Sequence, residues 1–235
     1  MIEIENLNKK FGKLQALDNV SVQCNANECV ALVGPNGSGK TTLIKCLLGM
    51  VLPDSGIMKF KGKSILKQWE YRSDIGYMPQ IGRYPDNMTI GQVLDMLQDL
   101  GSGLREPDTD LIEAFELNKM LHKRMRTLSG GTRQKVSACI AFLFNPSVLI
   151  LDEPTAGLDP IASEMVKQKL AKEKSKQKLI LITSHVLSEL DELATHVVYM
   201  QEGKLLFHKP VEKLTEETGE KKLNKAIAAL MFGKL

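Results

Sequence analysis

Hydrophobic and polar positions alternate in two early segments of the chain. Residues 2–5 read Ile-Glu-Ile-Glu, and Val20, Val22 and Cys24 alternate with polar neighbours. A period of two puts one set of side chains on a buried face and the other in solvent, as in a half-exposed strand. With the Lys-Gly-Lys turn at 61–63, this pattern predicts an antiparallel β region near the start of the chain.

Three later segments are continuously apolar, namely Val30–Val33, Val148–Leu151 and Leu179–Thr183. Runs of this kind are typical of strands that are buried on both faces in a parallel sheet covered by helices. The intervening patterns predict helices over 40–50, 132–144 and 160–175. The last of these helices follows Asp159-Pro160, which supplies a capping residue and a proline for the first helical position.

A different pattern lies between the first and second of these apolar runs. Thr89 begins a helical run of apolar residues, and Leu111–Leu117 forms another. We interpret residues of about 84–140 as a helical subdomain inserted into an α/β core. The sequence therefore predicts a single domain over residues 1–235, of mixed α/β class, with an antiparallel β subdomain and an α-helical insert.

Two remaining segments invite simpler expectations. The lysine-rich stretch 167–178 is expected to be a solvated helix face and loop. Residues 223–231 are predicted to form a short amphipathic helix that packs on the body of the protein or on a partner.

Composition and charge narrow the possible functions. The 235 residues are 43% hydrophobic and 25% charged, as in an ordinary globular protein, and the net charge of +3 is too mild to indicate a nucleic-acid partner. No apolar run approaches the roughly 18–20 residues that cross a bilayer, and residues 1–15 lack a signal-type apolar core, so a cytoplasmic chain is expected. The four cysteines show no metal-type spacing.

A glycine-rich loop follows the first of the continuous apolar runs. It matches the pattern G-x-x-x-x-G-K-[ST], with Gly34, Gly39, Lys40 and Thr41 at the fixed places. Backbone N–H groups and a helix N-terminus can converge on phosphate oxygens there, provided that side chains do not block the approach. Lys40 would reach the outer phosphates, and Thr41 would offer a hydroxyl to Mg²⁺. The expected phosphate-binding residues are Gly34, Pro35, Asn36, Gly37, Ser38, Gly39, Lys40, Thr41 and Thr42.

Two carboxylates end the second apolar run. Asp152 is placed to hold the metal ion, and Glu153 is placed to accept a proton from an attacking water or to orient it. Two adjacent carboxylates at a buried strand end are costly without a compensating charge, which a bound Mg²⁺–nucleotide would supply. The pair therefore strengthens the prediction of a site that hydrolyses a nucleoside triphosphate.

A second candidate anion site lies at Leu128-Ser129-Gly130-Gly131-Thr132. Ser129 is a good N-cap, and the two glycines expose backbone N–H groups at the start of an apolar helix. Such a site can cover a phosphate held at Lys40 only if it comes from another copy of the domain.

At this point the sequence resembles the ATP-binding-cassette (ABC) ATPases over nearly its whole length. The segment 128–132 is similar to their signature motif, with Thr132 where glutamine is commoner. The resemblance implies a P-loop NTPase (RecA-like) core with the two subdomains described above. It also implies that two copies form a homodimer over two ATP molecules, with Ser129, Gly130 and Gly131 of one copy meeting the nucleotide of the other.

The same resemblance assigns further roles. Phe11 would stack on adenine, Gln80 would sense Mg²⁺ and the attacking water, and His185 would contact the γ-phosphate. Asp159 would belong to the loop that crosses between subunits, in addition to capping its helix. Catalysis would therefore involve Glu153, His185, Gln80 and Lys40, and the metal ligands would be Thr41, Gln80 and Asp152.

The implied partner is a separate membrane permease, docked near Gln80–Pro85, with the ATPase on the cytoplasmic face of the inner membrane. The run from Tyr71 to Pro85 resembles the ATPases of nitrous-oxide-reductase maturation, which are linked to copper-site assembly. Two alternatives stay open: a soluble ABC ATPase of iron–sulfur cluster assembly, and a regulatory subunit with an inactive site.

Overall fold

The fold of the chain is known from a computed structural model, which describes residues 1–101 and 106–233. Its larger sheet has six strands in the order β10-β9-β3-β8-β7-β6. Neighbouring strands run parallel, except that β10 is antiparallel to β9. The strands are β3 (Cys29–Val33), β6 (Ile75–Met78), β7 (Val148–Asp152), β8 (Leu179–Thr183), β9 (His196–Gln201) and β10 (Lys204–Pro210).

The smaller sheet is antiparallel and has the order β2-β1-β4-β5. Its strands are β1 (Ile2–Phe11), β2 (Leu14–Cys24), β4 (Ser55–Phe60) and β5 (Lys63–Ser64). The alternation at residues 2–5 and 20–24 therefore predicted two paired strands correctly, since Ile2 lies opposite Cys24 and Ile4 lies opposite Val22.

Seven α-helices are present in the two described parts of the chain. They are α1 (Lys40–Leu47), α2 (Ile90–Leu100), α3 (Asp110–Ala114), α4 (Gly130–Phe142), α5 (Pro160–Lys174), α6 (Val211–Thr218) and α7 (Leu223–Phe232). Thr89 caps α2 through a reciprocal capping box with Gln92. The apolar pattern at 111–117 gives the short helix α3 and a 3₁₀ turn over Leu117–Met120 rather than one longer helix.

Helices α2, α3 and α4 all lie between β6 and β7 in the chain, as expected for a helical insert. The bounds 84–140 of that subdomain stay a prediction, and residues 102–105 within it lie outside the described part of the chain. The predicted C-terminal helix is present as α7, and its Leu223, Ala226 and Ile227 are buried against the body of the protein.

Two hydrophobic cores explain the continuous apolar runs. Along β7, Leu149 and Leu151 enter the core beneath α4 and α5, while Val148 and Ile150 enter the core shared with α1 and the smaller sheet. Strand β3 divides its residues in the same way. Because successive side chains point to opposite faces, a strand between two cores must be apolar at every position.

Among the helices that the structure describes, none combines the length and the apolar character that a membrane crossing requires.

The expectation of a solvated lysine face at 167–178 is wrong for part of that stretch. The side chains of Lys169, Glu173 and Lys178 are 3%, 1% and 8% exposed. Lys169 Nζ lies 2.9 Å from Asp110 Oδ2 and also pairs with Asp108, both of which belong to the helical insert. Burial lowers the pKa of Lys169, but its hydrogen bonds to the two aspartates outweigh that effect and raise the pKa overall. This charge cluster thus fastens α5 to the insert.

We predict that Lys169→Ala lowers the free energy of unfolding by about 3–5 kcal/mol, because it removes the cation paired with a mostly buried carboxylate. That carboxylate belongs to Asp108, whose side chain is 13% exposed, and the buried Glu173 loses one of its three lysine partners as well. The more exposed Lys172, which pairs with Asp110 at 2.6 Å, provides the matched control. Lys172→Ala should cost about 1 kcal/mol or less. Urea unfolding of the three proteins measures both values. Equal small losses would contradict a structural role for the buried cluster.

Candidate active site

A cavity of about 440 Å³ opens where β3, β7 and β8 end. It gathers most of the residues that the sequence singled out, from five separate segments of the chain. Its lining consists of Phe11, Leu14, Ala16, Asn36, Gly37, Ser38, Gly39, Lys40, Thr41, Thr42, Gln80, Asp152, Glu153 and His185. Gly34 and Pro35 lie directly before this lining, at the start of the glycine-rich loop.

The N-terminus of α1 is built for an anion. Gly39 is its N-cap, with φ of +103°, and no side chain of the described residues caps the helix there. A Cβ at this position would lie 2.5 Å from the carbonyl oxygen of Ala16, so a larger residue does not fit. Gly39, Lys40, Thr41 and Thr42 line the cavity, so the first turn of α1 borders it, and the helix dipole adds partial positive charge there.

Lys40 adds the full charge. Its Nζ donates to the carbonyl oxygens of Gly34 at 2.7 Å and Pro35 at 3.1 Å, which keeps the side chain folded over its own loop. Burial lowers the pKa of Lys40, and the nearby carboxylates of Glu153 and Asp152 act in the opposite direction. The ammonium thus lies between a phosphate-binding loop and two acids.

The loop is braced by the hairpin of β9 and β10. The N–H of Gly203, at the hairpin tip, donates to Ser38 O at 3.1 Å, and the N–H of Asp18 donates to Gly203 O at 2.8 Å. A Cβ at Gly34 would lie only 2.0 Å from the carbonyl oxygen of Met200 on β9. Close packing against the hairpin therefore fixes the course of the loop.

Asp152 is oriented by the neighbouring strand. The hydroxyl of Thr183 donates to Asp152 Oδ1 at 2.6 Å, and the two residues lie opposite each other in the parallel pairing of β7 and β8. Both side chains are buried. Hence Asp152 reaches the cavity from a fixed position at the end of β7.

Glu153 is held more tightly still. Its backbone has φ of +55°, a conformation that costs a non-glycine residue about 1–2 kcal/mol. Its N–H bonds to Thr183, its Oε2 accepts from the N–H of His185 at 3.1 Å, and its Oε1 lies 3.5 Å from His185 Nε2. Glu153 is 8% exposed, whereas the side chain of His185 is 54% exposed. A buried carboxylate held beside an accessible imidazole suits the positioning of a water molecule.

Phe11 and Gln80 border the cavity on two sides. Phe11 ends β1 and is 48% exposed, so it is a surface ring and not part of the core. Gln80 is exposed and follows β6 by two residues. These positions agree with a ring that stacks on a flat base and an amide that reaches the phosphate end.

The remaining predicted residues lie elsewhere. Ser129, Gly130, Gly131 and Asp159 do not line the cavity, although they lie near one another. A Cβ at Gly131 would be 3.0 Å from the carbonyl oxygen of Gly157, and Lys135 on α4 pairs with Asp159 at 2.8 Å. Ser129 caps α4 and Asp159 caps α5. The capping roles expected for both residues are thereby confirmed.

Several contributors were not anticipated from the sequence. Thr183 was assigned to a strand but to no role, and Leu14 and Ala16 were not expected in the cavity. Lys135 and Gln134 connect α4 to the segment between β7 and α5: Lys135 pairs with Asp159, and Gln134 lies 3.5 Å from Glu153 O. A hydroxyl at the end of a buried strand was the available signal for Thr183, but its neighbour becomes known only with the strand order.

Comparison with known proteins agrees with this geometry. Residues 17–156 match the family described as ABC transporter. The uncharacterized ABC transporter ATP-binding protein YxlF of Bacillus subtilis (strain 168) is 36% identical over 222 residues, which cover 92% of this chain and 73% of that protein.

Two solved structures have the same fold. One, described as an ATP-binding subunit of an ABC transporter, has a TM-score of 0.90 and 26% identity, with 98% of this chain and 99% of that chain covered. The other, a dimeric post-hydrolysis state of the ATP-binding cassette MJ0796 bound to ADP and Pi, has a TM-score of 0.80 and 21% identity, with 89% and 98% covered. The fold class expected from the sequence is confirmed, and the chain belongs to the ABC transporter family as an ATP-binding ATPase.

Proposed function

We propose that two copies of this chain close head-to-tail over two ATP molecules, and that the cycle of closing and opening drives a membrane permease. The single observation that carries the proposal is the separation of the two anion sites. The cavity holds the loop, Lys40 and the acids, while Ser129 and its glycines project from another part of the surface. A second copy can supply what each cavity lacks, and the MJ0796 cassette of similar fold is itself described as dimeric.

Within one copy, different cavity residues bind different parts of the nucleotide. Phe11 stacks on the adenine, and the backbone N–H groups of residues 36–42 bind the phosphates. Lys40 leaves the carbonyl oxygens of its own loop to meet the β- and γ-phosphate oxygens. From the other copy, Ser129 and Gly131 meet the γ-phosphate, and Asp159 approaches with the same surface.

Hydrolysis depends on the buried carboxylate at the end of β7. Glu153 accepts a proton from the attacking water, and His185 and Gln80 position that water and the γ-phosphate. The left-handed backbone conformation of Glu153 and the hydrogen bond that its carboxylate accepts from the N–H of His185 define the position of the base. Loss of the γ-phosphate removes the bridge between the copies, and the dimer opens.

The residues present also fit a magnesium ion. Thr41, Gln80 and Asp152 line one cavity and offer hydroxyl, amide and carboxylate oxygens, which are the ligands that Mg²⁺ prefers. Bound there, the ion would neutralise phosphate charge. The hydroxyl of Thr183 bonds to Asp152 Oδ1, so the other carboxylate oxygen, Oδ2, is the one that would bind the ion.

The permease would occupy a groove of about 590 Å³ beside the insert. Tyr77 of β6, Leu97 and Leu100 of α2, and Phe144 after α4 line it, together with the exposed Trp69. An apolar groove of this kind fits a helical segment of a membrane subunit. Tyr77 of β6 lines the groove, and Gln80, two residues after β6, lines the nucleotide cavity. This short segment therefore connects the docking groove with the nucleotide.

This placement refines the expectation that residues 81–85 form the docking surface. Tyr84 is half-buried and packs against the hydrophobic core, and burial raises its pKa. Its replacement would disturb the insert itself. Ile81, which is 68% exposed, remains accessible in that stretch.

The identity of the molecule that the permease transports is a more specific hypothesis. The resemblance of residues 71–85 to the ATPases of nitrous-oxide-reductase maturation supports a role in that pathway. YxlF is uncharacterized and supplies no load. Identification of the membrane subunit that copurifies with this chain would test the hypothesis, and recovery of a soluble iron–sulfur scaffold instead would favour the soluble alternative.

We predict that Glu153→Gln binds ATP and dimerises but hydrolyses ATP about 100-fold more slowly or worse, because it lacks the general base. Steady-state phosphate release and size-exclusion chromatography with ATP measure the two effects. Lys40→Ala provides the contrast: it should weaken ATP binding about tenfold or more through the loss of charge-assisted hydrogen bonds. Near-normal turnover by Glu153→Gln would contradict the assigned mechanism.

We predict that Leu100→Glu abolishes recovery of the membrane subunit from detergent-solubilised membranes, because it places a charge in the apolar groove. ATP hydrolysis by the isolated subunit should stay within about twofold of the wild-type rate, since Leu100 is 76% exposed and lies outside the nucleotide cavity. Phe232→Glu, at a comparably exposed apolar position on α7, is the control. Unchanged recovery with Leu100→Glu would place the permease on another surface.

A further inference from the structure

Two hydroxyl groups meet at the tip of α4. Ser129 Oγ lies 2.9 Å from Thr132 Oγ1, and it also accepts a hydrogen bond from the N–H of Thr132 at 3.2 Å. The second of these contacts is the ordinary cap of a helix. The first requires a hydroxyl on residue 132, which Thr132 supplies.

The hydroxyl contact limits the Ser129 proton to two arrangements. A hydroxyl has one proton and two acceptor lone pairs. Ser129 Oγ uses one lone pair for the Thr132 N–H. If the Thr132 hydroxyl donates to the other, both lone pairs are occupied and the Ser129 proton must point away from its own helix. If Ser129 donates instead, its one proton is in the hydrogen bond to Thr132 Oγ1 and cannot be donated to a phosphate.

We propose that Thr132 is a positioning residue that directs the Ser129 proton to a γ-phosphate oxygen of the nucleotide held by the second copy. An anion in front of Ser129 favours the arrangement in which the Thr132 hydroxyl donates to Ser129 Oγ and the Ser129 hydroxyl donates to the anion. Each hydrogen bond in such a chain polarises and strengthens the next. The inference rests on the proposed dimer.

The surrounding structure keeps this tip fixed while the two hydroxyls rotate. Lys135 holds α4 to Asp159, and Gly131 lies against Gly157 O. The Arg133 side chain also donates to the carbonyl oxygen of Met125, just before the tip. Because the backbone is held on several sides, the hydroxyl orientation is the adjustable part of the contact.

The side chain of Thr132 acts through Ser129 for a geometric reason. Its short hydroxyl is engaged with the residue three positions earlier, on the same turn of the helix. A longer side chain at this position could extend beyond Ser129 by itself. Threonine instead adds its donor to the serine that precedes it.

The test compares Thr132→Val, which keeps the shape and the backbone N–H but lacks the hydroxyl, with Thr132→Ser, which retains the hydroxyl. ATP hydrolysis is measured against ATP concentration, and dimer dissociation is measured in the Glu153→Gln background. We expect Thr132→Val to raise the half-saturating ATP concentration and the dimer Kd about five- to tenfold, the size of one weakened charge-assisted hydrogen bond. Its kcat at saturating ATP should stay within about twofold, and Thr132→Ser should restore wild-type values.

Two further measurements separate the possible failures. Thermal unfolding of the nucleotide-free chain should be unchanged in Thr132→Val, and a clear fall in Tm would show a structural role and overturn the proposal. Equal losses in the valine and serine variants would overturn it as well, because the hydroxyl would then be irrelevant.

Ser129→Ala distinguishes this inference from the proposed function. If that variant loses ATP-driven dimerisation while Thr132→Val behaves as wild type, Thr132 has no positioning role and the dimer stands. If Ser129→Ala also dimerises and hydrolyses normally, the shared nucleotide site itself is wrong.

Discussion

The carboxyl ends of neighbouring parallel strands must meet at one edge of a sheet, and the nucleotide site depends on this constraint. Strands β3, β8 and β7 lie side by side, so the loops that follow them converge although they are far apart in the chain. Each strand divides its side chains between two cores, and a shift of register by one residue would exchange the two sets. The same packing that stabilises the sheet therefore sets Asp152 opposite Thr183 and places Lys40 within the field of both acids.

The second half of the site is organised by different contacts. Helix α4 and the loop before α5 are joined by the Lys135–Asp159 ion pair and by the close approach of Gly131 to Gly157. Gln134 continues this connection to the backbone of Glu153. In the proposed dimer, the surface that faces the second copy is thus connected to Glu153 within the same chain, and this connection would couple the two nucleotide sites.

The sequence predicted the structure best at positions where few residue types can meet the local requirement. The glycine-rich loop after β3, the acids at the end of β7 and the Asp159-Pro160 helix start lie where the sequence placed them, because few other residue types fit a close backbone approach or a helix cap. It was least informative about contacts between distant segments. The buried ion cluster of Lys169 was mistaken for a solvated face, since its partners Asp108 and Asp110 lie about sixty residues away and nothing local reveals them.

The hairpin of β9 and β10 also affects how binding energy is used. Its tip bonds to Ser38, and its strand leaves space for no side chain at Gly34. A loop supported in this way has already lost its conformational entropy during folding, so the arriving triphosphate does not have to order it. In the proposed dimer, more of the binding free energy of the nucleotide is then available to hold the two protein molecules together, because the hairpin has already ordered the loop.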